Sequence, residues 1–255
     1  MILRILTLSA LLFSVISCQP EESQTEYTIE RTEQFTPATG SYITNREAQS
    51  MTARYREEYP EGPRAFYVPR ATVESMIQSP AVAGISFYKG LDATGIPFLV
   101  LIGINENGKE ISNGRVARSL PGEFNCQQSG ICPEGTMNLE NYTRARTKKV
   151  QSAISLESAR MATFSFQQAY PKRQFSFYFG KDIITQLINT DEVTGIDAYA
   201  AMNANRSDEI LLSAARNAPA HARFVTAEEM ETADRSTICP PYCSLDSELI
   251  NKDNL

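Results

Sequence analysis

The sequence predicts an α+β fold built from two pseudo-symmetric repeats, each with the element order α-β-α-β-β. The segment 48–101 recurs at 159–212, 111 residues later, without a gap and with 13 identical residues. Within each copy, apolar residues recur first with a helical spacing and later with the pattern of buried strands. The identical residues are mostly of core and turn types. The repeat therefore preserves a fold more visibly than a reaction.

Each copy opens with a helix. Thr44 is followed three residues later by Glu47, which forms a capping box, and Ser155 occupies the equivalent position in the second copy. Apolar residues then follow at intervals of three or four, which predicts one buried helical face. Pro60 and Pro171 end the two helices, because a proline disfavours the helical conformation of the residue before it.

A strand, a second helix and a pair of strands complete each copy. Their predicted bounds are 65–68, 70–78, 85–91 and 98–104 in the first copy, and 175–179, 181–189, 196–202 and 210–215 in the second. Gly84 and Gly195 precede the second strand of each copy. A glycine retained there indicates either a positive φ or a close approach that a Cβ would block.

The simplest arrangement that buries both helical faces is a three-stranded antiparallel sheet covered by two helices, one such unit for each repeat. Three strands make a marginal domain alone. We therefore expect the two units to pack about a pseudo-two-fold axis. Two packings are compatible with the sequence: one shared six-stranded sheet, or contact through exposed faces.

The N-terminus is typical of a bacterial lipoprotein signal peptide. Arg4 supplies a positive charge, an apolar stretch follows at 5–16, and Val-Ile-Ser precedes Cys18. This motif resembles the lipobox, in which the cysteine receives palmitate-type acyl chains and becomes the mature N-terminus. The apolar stretch is too short to span the hydrocarbon core of about 30 Å. We therefore expect a lipid anchor at Cys18 in the cell envelope, and Gln19 resembles the residue of lipoproteins sent to the outer membrane.

The expected organisation of the chain has six parts. They are a signal peptide at 1–17, a flexible acidic tether at 18–43, repeat one at 44–135, a linker at 136–154, repeat two at 155–245 and a tail at 246–255. The tether is predicted because the residues after Cys18 are polar and acidic. The formal net charge of -6 disfavours a nucleic-acid partner, since no basic face is available to neutralise phosphates. The membrane, an envelope protein or a small ligand are the partners that remain.

Four further cysteines follow the two copies in pairs: Cys126, Cys132, Cys239 and Cys243. An even number in an exported chain predicts disulfides, and of three possible connectivities we favour the two local pairs, because each then belongs to one repeat. The alternative is a thiol redox or copper site at Cys239 and Cys243, whose Cys-x3-Cys spacing resembles copper-delivery proteins related to thioredoxin. That site needs a histidine ligand, and the sequence has only His221.

The sequence predicts no catalytic, cofactor-binding or metal-binding residue, so it favours a binding or structural module over an enzyme. The paired tyrosines Tyr67/Tyr178 and Tyr88/Tyr199 suit either a contact surface or, more simply, the layer between sheet and helix. An envelope enzyme or small-ligand binder is the alternative. It requires polar groups of both copies to converge in the groove between the repeats. The candidates for that groove are Tyr88, Tyr199, Lys89 and Arg70 or Lys181.

Several runs of the chain resemble a small domain found in uncharacterised bacterial proteins of the Bacteroidota type. The runs are 66–67, the second helix, 84–90, 99–108 and the closing Cys-Pro-Pro-x-Cys at 239–243. The second copy departs from the pattern by lacking the Gly-x-Asn-x-x-Gly turn of 103–108. The resemblance implies tandem copies of this domain behind a lipoprotein signal peptide, and it implies no activity.

Overall fold

The computed structural model describes residues 35–111, 116–122, 153–189, 192–216, 232–234, 237–239, 247 and 249. The helices are α1 (Asn45–Glu58), α2 (Arg70–Ile77), α3 (Leu156–Ala169) and α4 (Lys181–Ile188). The strands are β1 (Ser41–Ile43), β2 (Ala65–Pro69), β3 (Gly84–Leu91), β4 (Pro97–Ile104), β5 (Glu110–Ile111), β6 (Val116–Arg118), β7 (Leu120–Gly122), β8 (Ala153–Ile154), β9 (Ser176–Gly180), β10 (Val193–Met202), β11 (Asp208–Arg216), β12 (Thr232–Asp234) and β13 (Thr237–Cys239). Helices and antiparallel sheets occur together, so the α+β class is confirmed.

The strands form two antiparallel sheets, each of which contains strands from both copies. Sheet I has the order β7-β2-β10-β11-β12-β1, and sheet II has the order β13-β9-β3-β4-β6-β8 with β5 paired to β4. When each strand is replaced by the corresponding strand of the other copy, such as β2 by β9 and β3 by β10, the order of sheet I becomes that of sheet II. β5 has no counterpart among the described strands. The expected separate three-stranded sheets are therefore wrong, because β2 pairs with β10 and β9 pairs with β3.

The second helix of each copy carries the chain from one sheet to the other. β2 lies in sheet I, α2 follows it directly, and β3 then lies in sheet II, while β9, α4 and β10 make the opposite crossing. α2 and α4 contribute their apolar side chains to one core cluster together with the inner faces of both sheets. Burying these side chains on both sides is the physical reason why the two copies do not form separate units.

The first helix of each copy covers an outer face. α1 packs with Tyr199, Ala201 and Leu211 on sheet I, and α3 packs with a second apolar cluster on sheet II. The expectation that both helices of a copy cover one three-stranded sheet is wrong. α1 therefore lies on the outer face of sheet I, α3 lies on the outer face of sheet II, and α2 and α4 contact both sheets.

The local signals that define the helices are confirmed. Thr44 Oγ1 accepts a hydrogen bond from the Glu47 amide at 3.2 Å, and Ser155 Oγ accepts one from the Ser158 amide at 3.1 Å. α1 and α3 both end immediately before the tyrosine that precedes Pro60 or Pro171. The two helices therefore begin and end at positions 111 residues apart.

The paired glycines serve a close approach rather than a positive φ. A Cβ on Gly84 would lie 2.2 Å from the carbonyl oxygen of Phe179 and 2.6 Å from the ring of Tyr178. A Cβ on Gly195 would lie 2.2 Å from the carbonyl oxygen of Val68 and would meet the ring of Tyr67 in the same way. Each glycine thus lets the exchanged strand of the other copy pack against it.

The expected tether ends earlier than residue 43. Phe35 is buried and lies edge-to-face on Tyr178, with ring centroids 5.1 Å apart. The hydroxyl of Tyr178 donates to the carbonyl of Thr36 at 3.0 Å, and β1 pairs with β12. The assignment of 35–43 to a flexible tether is therefore wrong, because these residues pack on both sheets.

We predict that Gly84→Ala destabilises the fold by about 3 kcal/mol or more, because the added methyl group meets backbone that cannot move aside. Gly195→Ala should have the same effect. Gly95→Ala is the control: it has open space but a φ of +82°, so its loss should be only about 1 kcal/mol. Urea denaturation of the purified protein measures all three. Equal losses for Gly84→Ala and Gly95→Ala would contradict the close approach.

Candidate functional site

Two charged residues close one end of the core between the sheets. Lys89 alternates along β3 with the inward-facing Ile85 and Phe87, and Asp208 alternates along β11 with residues of the same core. Lys89 Nζ lies 2.7 Å from Asp208 Oδ2, and both side chains are less than a tenth exposed. This ion pair joins sheet II directly to sheet I.

Arg173 completes a charged triad with Lys89 and Asp208. It follows α3 and precedes β9, and its Nε donates to the same oxygen, Asp208 Oδ2, at 2.7 Å. Its Nη2 donates to the hydroxyl of Tyr55 at 3.5 Å. One carboxylate therefore holds two cations, and the second cation also reaches the end of α1 on the other copy.

Four aromatic rings surround the Arg173 guanidinium. The ring of Tyr59 lies 3.9 Å from it, and those of Tyr170, Tyr55 and Phe166 lie 5.5, 5.8 and 5.9 Å from it. Tyr55 and Tyr59 end α1, and Phe166 and Tyr170 are their counterparts in the second copy. Arg173 therefore lies where the two copies meet, between one aromatic pair from each, and cation–π attraction of about 1 kcal/mol adds to its ion pair.

The charges of the triad perturb one another strongly. Burial lowers the pKa of Lys89 to about 8, although the neighbouring Asp208 partly offsets the shift. Burial acts to raise the pKa of Asp208, but the charges of Lys89 and Arg173 and their hydrogen bonds overcome it and hold that pKa below its usual range. Burial also opposes the charge of Arg173, but hydrogen bonding and attraction to Asp208 raise its pKa. All three groups are charged at neutral pH.

The triad has no counterpart at the symmetry-related position. The residues equivalent to Lys89, Asp208 and Arg173 are Ala200, Pro97 and Gly62. The pseudo-symmetry of the fold is therefore broken at its charged site.

The paired tyrosines are all buried, but only Tyr88 and Tyr199 lie between a sheet and a helix as the simpler interpretation predicted. Tyr67 packs with Leu120 and Ala215, and Tyr178 packs on Phe35. Tyr67, Tyr88, Tyr178 and Tyr199 are each less than a tenth exposed. Tyr67 donates its hydroxyl to the carbonyl of Thr194 at 2.8 Å. Tyr88 donates to Glu110 Oε1 at 3.0 Å, on the outer face of sheet II.

The set proposed for a groove between the repeats does not come together at one place. Lys89 lies in the triad, and Tyr88 faces the opposite side of its sheet. Arg70 pairs with Glu74 at 2.6 Å on the surface of α2, and Lys181 Nζ donates to the carbonyl of Ser79 at 3.4 Å.

The cysteine predictions fall almost wholly outside the described residues. Cys18, Cys126, Cys132, Cys243 and His221 lie outside them, and only the backbone of Cys239 is described, in β13. The lipid anchor and the local disulfides stay predictions. Within the described residues there is no group of three His, Cys, Asp or Glu side chains placed to hold a metal ion.

Sequence reasoning missed Asp208 and Arg173. A signal was present for Lys89, a charged residue at an alternating position of the predicted strand 85–91, whereas Asp208 lies two residues before the predicted strand 210–215. A charge at an inward position predicts a partner of opposite sign. Arg173 carried no such signal, since it lies in a polar connection after Pro171.

Comparison of the chain with family models, with curated proteins and with solved structures gave no match. Among the described residues, no helix is both long enough and apolar enough to cross a membrane. The function is therefore argued from the residues of this chain.

We predict that Asp208→Asn destabilises the protein by about 3–5 kcal/mol, because it leaves the buried Lys89 and the partly buried Arg173 without their carboxylate. Lys89→Met should cost much less, because Asp208 keeps Arg173. Glu58→Gln is the control, since Glu58 and Arg206 form an exposed ion pair at 2.7 Å that contributes less than about 1 kcal/mol. Chemical denaturation at pH 7 measures all three. An Asp208→Asn loss no larger than that of Glu58→Gln would contradict the shared carboxylate.

We also predict that Lys89 makes stability rise with pH above about 8. Its folded pKa is about 8 and its ordinary value is 10.5. Between these values the unfolded chain holds the proton and the folded chain releases it, so the free energy of unfolding rises with pH, by about 1 kcal/mol per unit. Lys89→Met should lack this rise. Unfolding from pH 7 to about 9.5 measures the difference before tyrosines titrate, and parallel curves for the two proteins would refute it.

Proposed function

We propose that this protein is a lipid-anchored protein of the bacterial cell envelope that acts as a binding or structural interaction module. The lipobox before Cys18 supports the anchor. Phe35 is the first described residue, and 16 residues separate it from Cys18. A chain of that length reaches at most about 55 Å, so the folded part can lie well clear of the membrane surface.

One observation carries the proposal of an interaction module rather than an enzyme. The charged groups of the triad satisfy one another, because Asp208 Oδ2 accepts from both Lys89 and Arg173 at 2.7 Å. A carboxylate held by two cations is a poor general base. The lowered pKa of Lys89 favours nucleophilicity, but its side chain is only 8% exposed and points at Asp208, so a substrate does not reach it. The triad is better suited to fixing one sheet against the other than to chemistry on a substrate.

The sequence resemblance to a tandem bacterial domain is part of this proposal, and it carries no catalytic residue over to the chain. The predicted local disulfides Cys126–Cys132 and Cys239–Cys243 would then pin the end of each copy. Short loops of that size contribute about 2 kcal/mol each. Their role in this proposal is structural.

We predict that Cys18→Ala abolishes lipidation and releases the protein from membranes. Ser17→Ala is the matched control, because it keeps a small residue before the cysteine and should leave both properties unchanged. Metabolic labelling with palmitate and detergent phase partition measure the two properties in cells that express each variant. Wild-type protein with an unmodified Cys18, or a Cys18→Ala protein that stays in the membrane, would overturn the anchor.

The proposed interaction role has a test that is separate from the test of the lipid anchor. Chemical cross-linking in intact envelopes should give discrete adducts of the wild-type chain, and these should decrease in Cys18→Ala cells as the protein leaves its compartment. An anchored wild-type chain that gives no adduct with any of several cross-linker lengths would overturn the interaction role while leaving the anchor intact.

A further inference from the structure

The solvent-facing side of α3 is uncharged over most of the helix. Residues 161–171, from the second turn of α3 to the proline after it, contain no Asp, Glu, Lys or Arg. The matching stretch of the first copy, 50–60, contains Arg54, Arg56, Glu57 and Glu58. Charged residues are depleted at the centre of surfaces that lose water on contact. Of the two outer helices, α3 is therefore the one whose free side suits such a contact.

Large apolar side chains stand exposed on this side of the molecule. Met161 is 64% exposed and Ile96 is 55% exposed, which makes them the two most exposed large hydrophobic side chains of the described residues. Phe164, one helical turn after Met161, is partly exposed. The equivalent positions on the side of sheet I hold small residues: Ser50 for Met161, Ala53 for Phe164 and Ser207 for Ile96.

Ile96 lies at the end of sheet II that α3 crosses. It precedes Phe98 by two positions, and Phe98 packs in the cluster beneath α3. The Asp92 amide donates to the Ile96 carbonyl at 3.0 Å, so the pairing of the β3–β4 hairpin extends to this residue. Gly90 pairs with Phe98, and a Cβ on Gly90 would lie 3.1 Å from the Cβ of Ala162 on α3. The exposed apolar side chains of the hairpin and of α3 therefore belong to the same end of the molecule.

The chain that leads from the predicted lipid anchor enters the fold on the same side. Phe35 belongs to the apolar cluster between α3 and sheet II, together with Ala162 and Phe166. The 16 residues between Cys18 and Phe35 have an average end-to-end distance of about 22 Å as a flexible coil. An acylated Cys18 would therefore keep the outer side of sheet II close to the lipid surface.

We propose that Ile96, Met161 and Phe164, which we call the α3 face, dock on the membrane that holds the anchor. The inference rests on the proposed lipid anchor and adds an orientation: sheet II faces the lipid, and sheet I with its charged helix α1 faces away. A lipid surface fits this face because apolar side chains can insert at the level of the headgroups. The nearest charges on α3, Glu157 and Arg160, lie 3.9 Å apart and cancel each other.

The α3 face is suited to orient an anchored protein rather than to recruit a free one. Removing Met161 and Ile96 from water favours docking by only about tenfold to a hundredfold. The anchor, however, holds the face beside the lipid at an effective concentration in the millimolar range. The anchored chain should therefore be docked most of the time, whereas a chain without the acyl group should bind lipid weakly.

The test exploits the absence of tryptophan from the chain, because a single introduced tryptophan then reports only its own surroundings. Met161→Trp places the reporter on the α3 face, and Ser50→Trp places the matched control at the equivalent position of α1. Each acylated chain is purified from membranes and reconstituted into vesicles of phosphatidylcholine and phosphatidylethanolamine. Brominated lipid should quench Met161→Trp at least about threefold more strongly than Ser50→Trp, since only the first reporter lies at the membrane interface.

A second substitution shows whether the reporter alone causes docking. Adding Ile96→Ser to Met161→Trp removes an exposed apolar side chain and introduces the residue type that the other copy has at this position. Quenching should decrease, while the free energy of unfolding in urea should stay unchanged. If Met161→Trp does not fold, Ile96→Trp serves as the reporter, and Ser207→Trp is then its control.

Three outcomes would overturn the docking. Equal quenching of Met161→Trp and Ser50→Trp in chains that float with the vesicles would leave the anchor intact but remove the orientation. A blue shift of Met161→Trp that depends on protein concentration and not on lipid would place a second copy of the chain on the face. A chain whose mass shows no acyl group at Cys18 would refute the anchor instead. That chain is then added to about 10 mM lipid, where equal quenching of the two reporters would refute the docking as well.

Discussion

The exchange of β2 and β9 between the two copies is the constraint on which the rest of the structure depends. β2 lies in sheet I, whereas the next strand of its copy, β3, lies in sheet II, so neither sheet is complete without the other copy. The crossings are made by α2 and α4, which explains why Val73 and Ile184 are fully buried. A three-stranded sheet alone buries too little apolar surface for independent stability. Exchange solves this problem by giving each sheet a covered inner and a covered outer face.

The charged triad joins the two sheets at one end of the core that they share, next to the apolar side chains. Burying Lys89 and Asp208 costs desolvation free energy. Their attraction at 2.7 Å offsets most of this cost only when the geometry is good. The triad is therefore weak support for stability but strong support for one packing of sheet I on sheet II. A shift of either sheet would leave Asp208 or a cation unpaired in the core. The aromatic pairs around Arg173 act in the same sense, since the guanidinium contacts the ends of α1 and α3 together.

Helices and long strands could be predicted from the sequence because their signals are local. Thr44, Ser155, Pro60 and Pro171 mark helix ends, and turn residues mark the hairpins. The exchange could not be predicted, because β2 and β9 are apolar on both faces and therefore fit any buried neighbour equally well. The two- and three-residue edge strands β1, β7, β8 and β13 were missed since no periodicity develops over so few residues. Within the candidate site, the inward position of Lys89 could be predicted from the sequence. Its partner could not, because the position of Asp208 on the opposite sheet follows from the exchange of strands.

The two copies have identical residues where an exchanged strand packs, and they have different residues at the charged triad. Gly84 and Gly195, and the tyrosines that pack on them, are identical because each supports an exchanged strand. In the other copy, the positions equivalent to Lys89, Asp208 and Arg173 hold Ala200, Pro97 and Gly62, and the position equivalent to Gln167 holds Arg56. Each of these differences places a polar group in the core, which costs desolvation free energy unless the group is paired. The asymmetry of the triad therefore means that charged groups fix the packing of sheet I on sheet II at one end of the core only.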